Sequence, residues 1–324
     1  MSITGRDDEM TTYDLVTFGE AQIRLTVPRG DRLATCRELR LSPAGSDANV
    51  AGLLSQLGRR TAFASVIPQG DLAQRFIEEY RGVGVDLSHC VRCEGRMALY
   101  FMEPGDPPLP AKVTYDRLHT KFREISPETL DWKALLDARV LFVTGITAAL
   151  TEHTGRTVAF AVEEASKRGV KVALDVNYRA LLWTPERARS VLEPLLDKVS
   201  ILFCSRLDGI KVFGMKGDGP AINAALREKY HLDHVVSTDS TAGCYYSGIE
   251  GQKVFAVEPV PVTDRPGAGD ALVGGTLHGY LGDSVMEGIH YGLRTSKLAL
   301  THHGDLTHVS PSELQIPATT DILR

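Results

Sequence analysis

The sequence predicts a single α/β domain, doubly wound around a mostly parallel sheet and carrying a small β-flap. Three observations point there. From residue 13 onward, short β-rich runs alternate with longer helical patterns. Strands such as Val140-Leu-Phe-Val-Thr144 and Val172-Ala-Leu-Asp-Val176 are almost continuously apolar, as in a parallel sheet covered on both faces. No repeat, low-complexity tract or linker divides the chain, although 324 residues would accommodate about two domains.

The elements follow in order. Tyr13–Phe18 reads as a strand, and Ile23, Leu25 and Val27 alternate with polar residues as in a half-exposed strand. A helix over Asp47–Leu57 carries apolar residues at Val50, Leu53, Leu54 and Leu57 and stops at Gly58. A strand at Ala62–Ile67 and a helix at Leu72–Tyr80 come next, then strands Met97–Glu103 and Lys112–Asp116 around the loop Pro104–Pro110. After Pro127 the alternation is regular: strand Val140–Thr144, helix Thr154–Lys167, strand Val170–Val176, helix Pro185–Leu196, strand Ile201–Cys204, helix Asp208–Gly214, helix Ala221–Lys229 and strand His234–Ser237. Two helices close the chain, Ala268–Leu281 and Val285–His302. The strands from about residues 21–40 and 95–125 do not fit a parallel sheet and are expected to form the flap as a lid over one end. In such sheets ligands bind at the carboxyl ends of the strands.

Composition narrows the function. The chain is 43% hydrophobic and 24% charged, ordinary for a globular enzyme, and long enough to bury a core without disulfides or structural metal. A net charge of −5 argues against a protein built to coat nucleic acid or anionic membranes. No apolar run approaches the roughly 18 residues of a spanning helix. Residues 1–12 are polar, lack the apolar stretch of a signal peptide and read as a flexible tail before a folded domain at 13–324, which makes the cytoplasm the expected compartment.

Five cysteines, an odd number, suggest reduced thiols. Cys90-Val-Arg-Cys93 has no second pair to complete a zinc site, and it lies on a turn leading into a strand rather than at a helix start, where a redox pair belongs. Of His302, His303 and His308, the first two are adjacent. On a helix they point about 100° apart, so they do not share one ion, and no metal site is expected. Trp132 and Trp183 read as packing residues.

The strongest chemical signal is Asp264-Arg-Pro-Gly267-Ala268-Gly269-Asp270, which runs directly into a helical stretch. Glycines at a loop-to-helix junction let the backbone approach an anion, and the free N–H groups and dipole of the first turn favour negative charge there. An Asp in that turn can take a proton from a nucleophile while the N–H groups hold the electrophile. The plainer alternative is a glycine-rich helix start with Asp270 as its N-terminal carboxylate. No G-x-x-x-x-G-K-S/T occurs, and the string fails the dinucleotide fingerprint at its last glycine.

Gly-Ala-Gly-Asp at the start of a late helix resembles the signature of the ribokinase-like (PfkB) sugar kinases. The resemblance extends over roughly residues 13 to 310, and within that family it is nearest to the 2-keto-3-deoxygluconate kinases. Its supporting strings are Phe18-Gly-Glu20, Gly45-Ser-Asp-Ala-Asn49-Val-Ala, Gly145-Ile-Thr-Ala-Ala-Leu150 and Leu174-Asp-Val-Asn177-Tyr-Arg179 followed by Leu182-Trp183. The resemblance implies a ribokinase-like fold and transfer of the ATP γ-phosphoryl group, with Mg2+ bridging the phosphates, to a hydroxyl of a sugar acid. It makes Asp270 the base and Gly267, Ala268 and Gly269 the anion hole. It maps the sugar site onto Gly45, Asn49, Tyr100, Tyr115, Arg117, Arg179 and Asp305, and the nucleotide side onto Asn177, Ser205, Asp208, Ser240 and Gly243.

Residue types agree in kind with this mapping. Arg117 and Arg179 could pair with a sugar carboxylate, and each could equally be a surface ion pair. Tyr100 and Tyr115 could close over a sugar or simply pack on strands. Departures from the family pattern concentrate on the nucleotide side. Ser205-x-x-Asp208 replaces N-x-x-E, Ser240-Thr-Ala-Gly243 replaces G-x-x-G, Arg265-Pro266 precedes the anion hole, and Gly292-Leu-Arg294 lacks the usual small residues; on the sugar side Ala44 replaces a glycine. A kinase for a neutral ketose such as fructose or for a nucleoside, or a non-catalytic sensor of the same fold, are the competing readings. The open edge of a flap would also suit pairing with a second copy.

Overall fold

Tyr13–Phe18 is buried on both faces and forms β1, on which the sheet is built; the computed structural model describes residues 11–105 and 108–315. After β1 come β2 (Gln22–Thr26), β3 (Arg40–Ala44), α1 (Ser46–Gln56), β4 (Thr61–Ala64), β5 (Val66–Pro68), α2 (Asp71–Gly82), β6 (Val91–Cys93), β7 (Ala98–Glu103) and β8 (Lys112–Asp116). The second half runs α3 (Trp132–Leu135), β9 (Ala138–Thr144), α4 (Gly145–Ala149), α5 (Glu152–Lys167), β10 (Lys171–Asp175), α6 (Pro185–Leu192), β11 (Ile201–Phe203), α7 (Arg206–Lys211) and α8 (Gly219–Tyr230). It ends with β12 (His234–Thr238), β13 (Cys244–Gly248), β14 (Gly251–Phe255), α9 (Ala268–Tyr280) and α10 (Val285–Thr301).

The main sheet has the order β14-β13-β12-β11-β10-β9-β1-β4. It is parallel from β12 to β4, and β13 and β14 add an antiparallel edge. One face packs on α5 through Val158, Ala161 and Val162, the other on α9 and α10 through Leu277 and Ile289. Both faces are therefore covered, which is why these strands are apolar almost throughout. A second sheet, order β3-β2-β7-β8, stands apart as the lid. Its root is tied to the core by Ile23 and Met97 against Phe76 and Tyr80.

Several expectations need correction. The β13–β14 hairpin was not foreseen; its strands are joined by the two residues Ile249 and Glu250. The strand expected over Ala62–Ile67 breaks at Ser65, whose hydroxyl donates to the Gly19 carbonyl at 2.7 Å. β4 stays in the main sheet and β5 leaves to pair with β6, the strand that carries Arg92 and Cys93. The helix expected to Leu196 ends at Leu192 and tightens into a 3-10 turn, Glu193–Lys198, because Pro194 has no N–H to donate. The helix expected at 208–214 starts at Arg206, where Ser205 caps it by accepting from the Asp208 N–H at 3.0 Å. Within the flap, residues 27–39 contain no strand, and β3 runs on to Ala44. The tail reading falls on residues 1–10, outside the described residues, apart from Thr11 and Thr12; Thr12 is held by Asp137 at 2.6 Å.

Most consequential is β2. Its polar residues were read as solvent-facing, yet Gln22, Arg24 and Thr26 are buried. Cys90 is also buried, donates to the Phe63 carbonyl at 3.3 Å, and has its thiol pushed up to about 12 by burial, the state of an inert structural cysteine. Among the described residues no group of three or more His, Cys, Asp or Glu could hold a metal, and no helix is long and apolar enough to cross a membrane.

α9 and α10 approach until their backbones touch, at Gly275 against Gly292 and Gly279 against Gly288. A Cβ on Gly279 would run into the Cα and N of Gly288, atoms that cannot move aside. Gly279→Ala should therefore destabilise the fold by at least about 2 kcal/mol in urea unfolding. Gly82→Ala, at a helical position with nothing within 4 Å, should be neutral or slightly stabilising.

Candidate active site

β1 lies between β4 and β9, so the chain leaves it in opposite directions along the sheet. Such a switch point opens a crevice at the strand carboxyl ends. Here α1, reached from the lid through Gly45, and α9 bring their N-termini together. Gly267 precedes α9 with φ of +86°, and a Cβ there would strike the carbonyl of Asp305. Only glycine combines that left-handed turn with so close an approach.

Asp270, in the first turn of α9, is clamped by the first turn of α1. The Ser46 hydroxyl donates to its Oδ1 and the Asn49 amide to its Oδ2, both at 2.6 Å. A further shell fixes these two donors: Tyr80 donates to Asn49 Oδ1 at 2.6 Å, and Asn177 Nδ2 donates to Ser46 Oγ at 3.0 Å. Burial pushes the Asp270 carboxyl up to about 6, against the lowering effect of Asn49 and Ser46. Such a group is ionised at neutral pH yet basic enough to accept a proton.

Beside it, Asp47 takes hydrogen bonds from Thr147 at 2.8 Å and Thr144 at 3.2 Å, and burial pushes it up to about 7. It braces α1 on the ends of β1 and β9 and has no route to the crevice except through those threonines.

On the lid, Tyr100 and Tyr115 are paired across β7 and β8 with ring centroids 6.0 Å apart. Tyr100 donates to Asp305 Oδ2 at 2.5 Å, and Asp305 Oδ1 receives Arg24 at 2.8 Å. Arg24 also reaches Asp264 at 2.7 Å. Arg117 stacks over the Tyr115 ring at 5.3 Å and is ion-paired with Glu20 at 2.6 Å, both side chains buried. Thr120 completes the Glu20 carboxylate at 2.5 Å. The arginine is thus neither a surface ion pair nor a bare cation.

Below α9 lies a cavity of about 400 Å³ whose lining includes Asp175, Asn177, Arg179, Asp208, Lys211 and Gly269. Ser205 and Thr238 contribute as well. Burial, reinforced by Asp270 and Asp208, pushes Asp175 up to about 8, and burial raises Asp208 too. Crowded carboxyls facing two cations mark a place where added positive charge is welcome. Arg179 is exposed, bonds only its neighbour's carbonyl (Tyr178, 3.2 Å) and forms no ion pair among the described residues. Ser240 and Gly243 lie on the β12–β13 turn beyond this lining. Ser240 has φ of +51°, so it keeps the left-handed conformation that suits the glycine it replaces.

The structure thus brings Asp270, the Gly267–Gly269 turn, Asn49 and Asn177 into direct contact or adjacency, with Arg179, Ser205 and Asp208 around the cavity. Tyr100, Tyr115, Arg117 and Asp305 gather under the lid. Sequence reasoning missed Ser46, Tyr80, Glu20 and Arg24. Ser46 could have been found, since it stands at a helix start three residues before Asn49. Arg24 gives no such signal.

This geometry agrees with what the chain is similar to. The family model for pfkB family carbohydrate kinases matches residues 12–312. A 2-dehydro-3-deoxygalactonokinase of Haloferax volcanii is 35% identical over 308 residues, 94% of this chain and 96% of its own. The crystal structure of 2-dehydro-3-deoxygluconokinase from Thermotoga maritima superimposes with a TM-score of 0.87 at 30% identity, over 94% of this chain and 97% of its own. An Escherichia coli structure named as a ribokinase II in complex with ATP and Mg2+ shares the fold, with a TM-score of 0.84 at 18% identity over 94% and 98%. From the lid strands to the last helix the match is continuous, and the chain belongs to the pfkB family of carbohydrate kinases, with the ribokinase-like fold.

Proposed function

We propose that the enzyme phosphorylates a hydroxyl of a 2-keto-3-deoxy sugar acid, with ATP as donor and Asp270 as base. The observation that carries this reading is the Asp270 carboxylate, clamped by two donors at a helix N-terminus and pushed up to about 6. With the sugar hydroxyl against Asp270, proton removal and attack on the γ-phosphorus proceed in line, while the first-turn N–H groups of Gly267–Gly269 carry the developing phosphoryl charge. Arg179 and Lys211 would face the nucleotide phosphates or the sugar carboxylate from the cavity wall. The oxygen donors of Asp175 and Asp208 fit a hard divalent cation arriving with ATP. Mg2+ bound there would neutralise phosphate charge. The E. coli neighbour's ATP and Mg2+ complex supports this donor. The 2-dehydro-3-deoxy sugar acid kinases among the relatives support an acidic sugar.

A sugar carboxylate in a closed site needs a paired cation. Arg117 is already paired with Glu20, so Arg179 is the better counter-charge of the two.

ADP release measured over 2-keto-3-deoxygluconate, 2-keto-3-deoxygalactonate and fructose should show both acids well ahead of the ketose. Comparable turnover of fructose would move the assignment to neutral sugars. Asp270→Asn should lose at least about 10²-fold in kcat with sugar binding largely kept. The base works only unprotonated, so in the wild type kcat/KM should fall about tenfold per pH unit as pH drops below about 6. A flat profile between pH 5 and 7 would remove Asp270 from that role.

The two arginines should differ. Arg179→Ala should cost a sugar acid about 2–4 kcal/mol in kcat/KM and fructose far less. Arg117→Ala strands the buried Glu20 charge and should lower stability by about 3–5 kcal/mol while impairing both substrates alike. A selective loss in Arg117→Ala and an equal loss in Arg179→Ala would exchange their roles.

A further inference from the structure

Arg24 sits on lid strand β2 and is wholly buried. Its Nη2 contacts Asp264 Oδ1 at 2.7 Å and its Nη1 contacts Asp305 Oδ1 at 2.8 Å, while its Nε, also buried, has no hydrogen-bond partner. Asp264 belongs to the loop that leads into Gly267, and its Oδ2 accepts the Gly304 N–H at 3.2 Å. One guanidinium therefore joins three segments: the lid, the loop before α9 and the loop after α10. As a stabilising device this is poor. A buried ion cluster usually does no better than apolar packing of the same volume, and an unsatisfied Nε adds a further cost. The arrangement makes sense if it serves orientation.

The orientation is visible in Tyr100. Asp305 Oδ1 is taken by Arg24, so Oδ2 is the oxygen turned to the lid, and it accepts the Tyr100 proton at 2.5 Å. A phenol that has spent its only proton presents only lone pairs to anything else. We propose that Arg24 is a positioning residue for the sugar: it holds Asp305 so that Tyr100 faces the crevice as a pure acceptor, which selects a sugar hydroxyl at that point and turns a carboxylate away. The acidic end of the substrate then lies at the other end of the crevice, on the side of Arg179. This inference rests on the reading of Tyr100 and Asp305 as sugar ligands.

The test is a double-mutant cycle in kcat/KM for 2-keto-3-deoxygluconate, with Arg24→Met and Tyr100→Phe made singly and together. Arg24→Met/Asp264→Asn replaces Arg24→Met wherever the single variant does not fold, since it keeps the cluster's net charge at −1 (one cation and two carboxylates become one carboxylate). Tyr100→Phe should cost about tenfold in the wild type and less than about twofold once Arg24 is gone, because the phenol then has no fixed direction to lose. The loss in Arg24→Met should appear in the sugar KM and leave the ATP KM unchanged, and Arg24→Lys should recover part of the Tyr100 effect. A tenfold cost of Tyr100→Phe in both backgrounds, or an Arg24→Met loss shared equally by both KM values, would overturn the proposal and leave the sugar site standing. A Tyr100→Phe variant without effect in the wild type would overturn both.

Discussion

Two helix N-termini meet at one carboxylate. α1 supplies Ser46 and Asn49, α9 supplies Asp270, and the pair of 2.6 Å hydrogen bonds between them is the point about which the rest of the structure is arranged. Both helices must end their approach at the same place, which requires the switch point beside β1 and the glycine turn at Gly267. The clamp also sets the chemistry. Burial alone would keep Asp270 protonated, whereas two donors and two helix dipoles favour the charged form. The balance falls at about 6. That is close enough to neutrality for the carboxylate to be both present and basic.

A second constraint follows from the number of acids in one crevice. Asp47, Asp175, Asp208, Asp270 and Asp305 are all buried by their surroundings, and burial is the largest cause of each upward shift. The chain answers with three different solutions. Asp47 is satisfied by threonine hydroxyls, Asp305 by an arginine and a phenol, and Asp175 and Asp208 are left facing a cavity. The unsatisfied pair is where a cationic partner would gain most.

Much of this was legible in the sequence because it is local. Gly267, Ala268, Gly269 and Asp270 announce an anion-binding helix start by their order alone, and the apolar strands β9 and β10 announce a covered parallel sheet. What was not legible depends on distant partners. The alternation in β2 shows that Ile23 and Leu25 face one way and Gln22, Arg24 and Thr26 the other. It does not show that the second face is covered, which depends on Asp264 and Asp305 arriving from the far end of the chain. Arg117 likewise pairs with Glu20 across 97 positions. The break after β4 was hidden for the same reason, since Ser65 turns the strand by binding Gly19, a residue of another strand's end.

The most direct test of the central clamp is a 13C NMR titration of the side-chain carboxyls, compared between the wild type and Asp270→Asn. One resonance titrating at about 6 should vanish in the variant, the mark of a buried carboxylate balanced by Ser46 and Asn49. If the resonance that vanishes titrates near the ordinary Asp value of 3.8, Asp270 is not held between burial and its two donors, and the account of the site is contradicted.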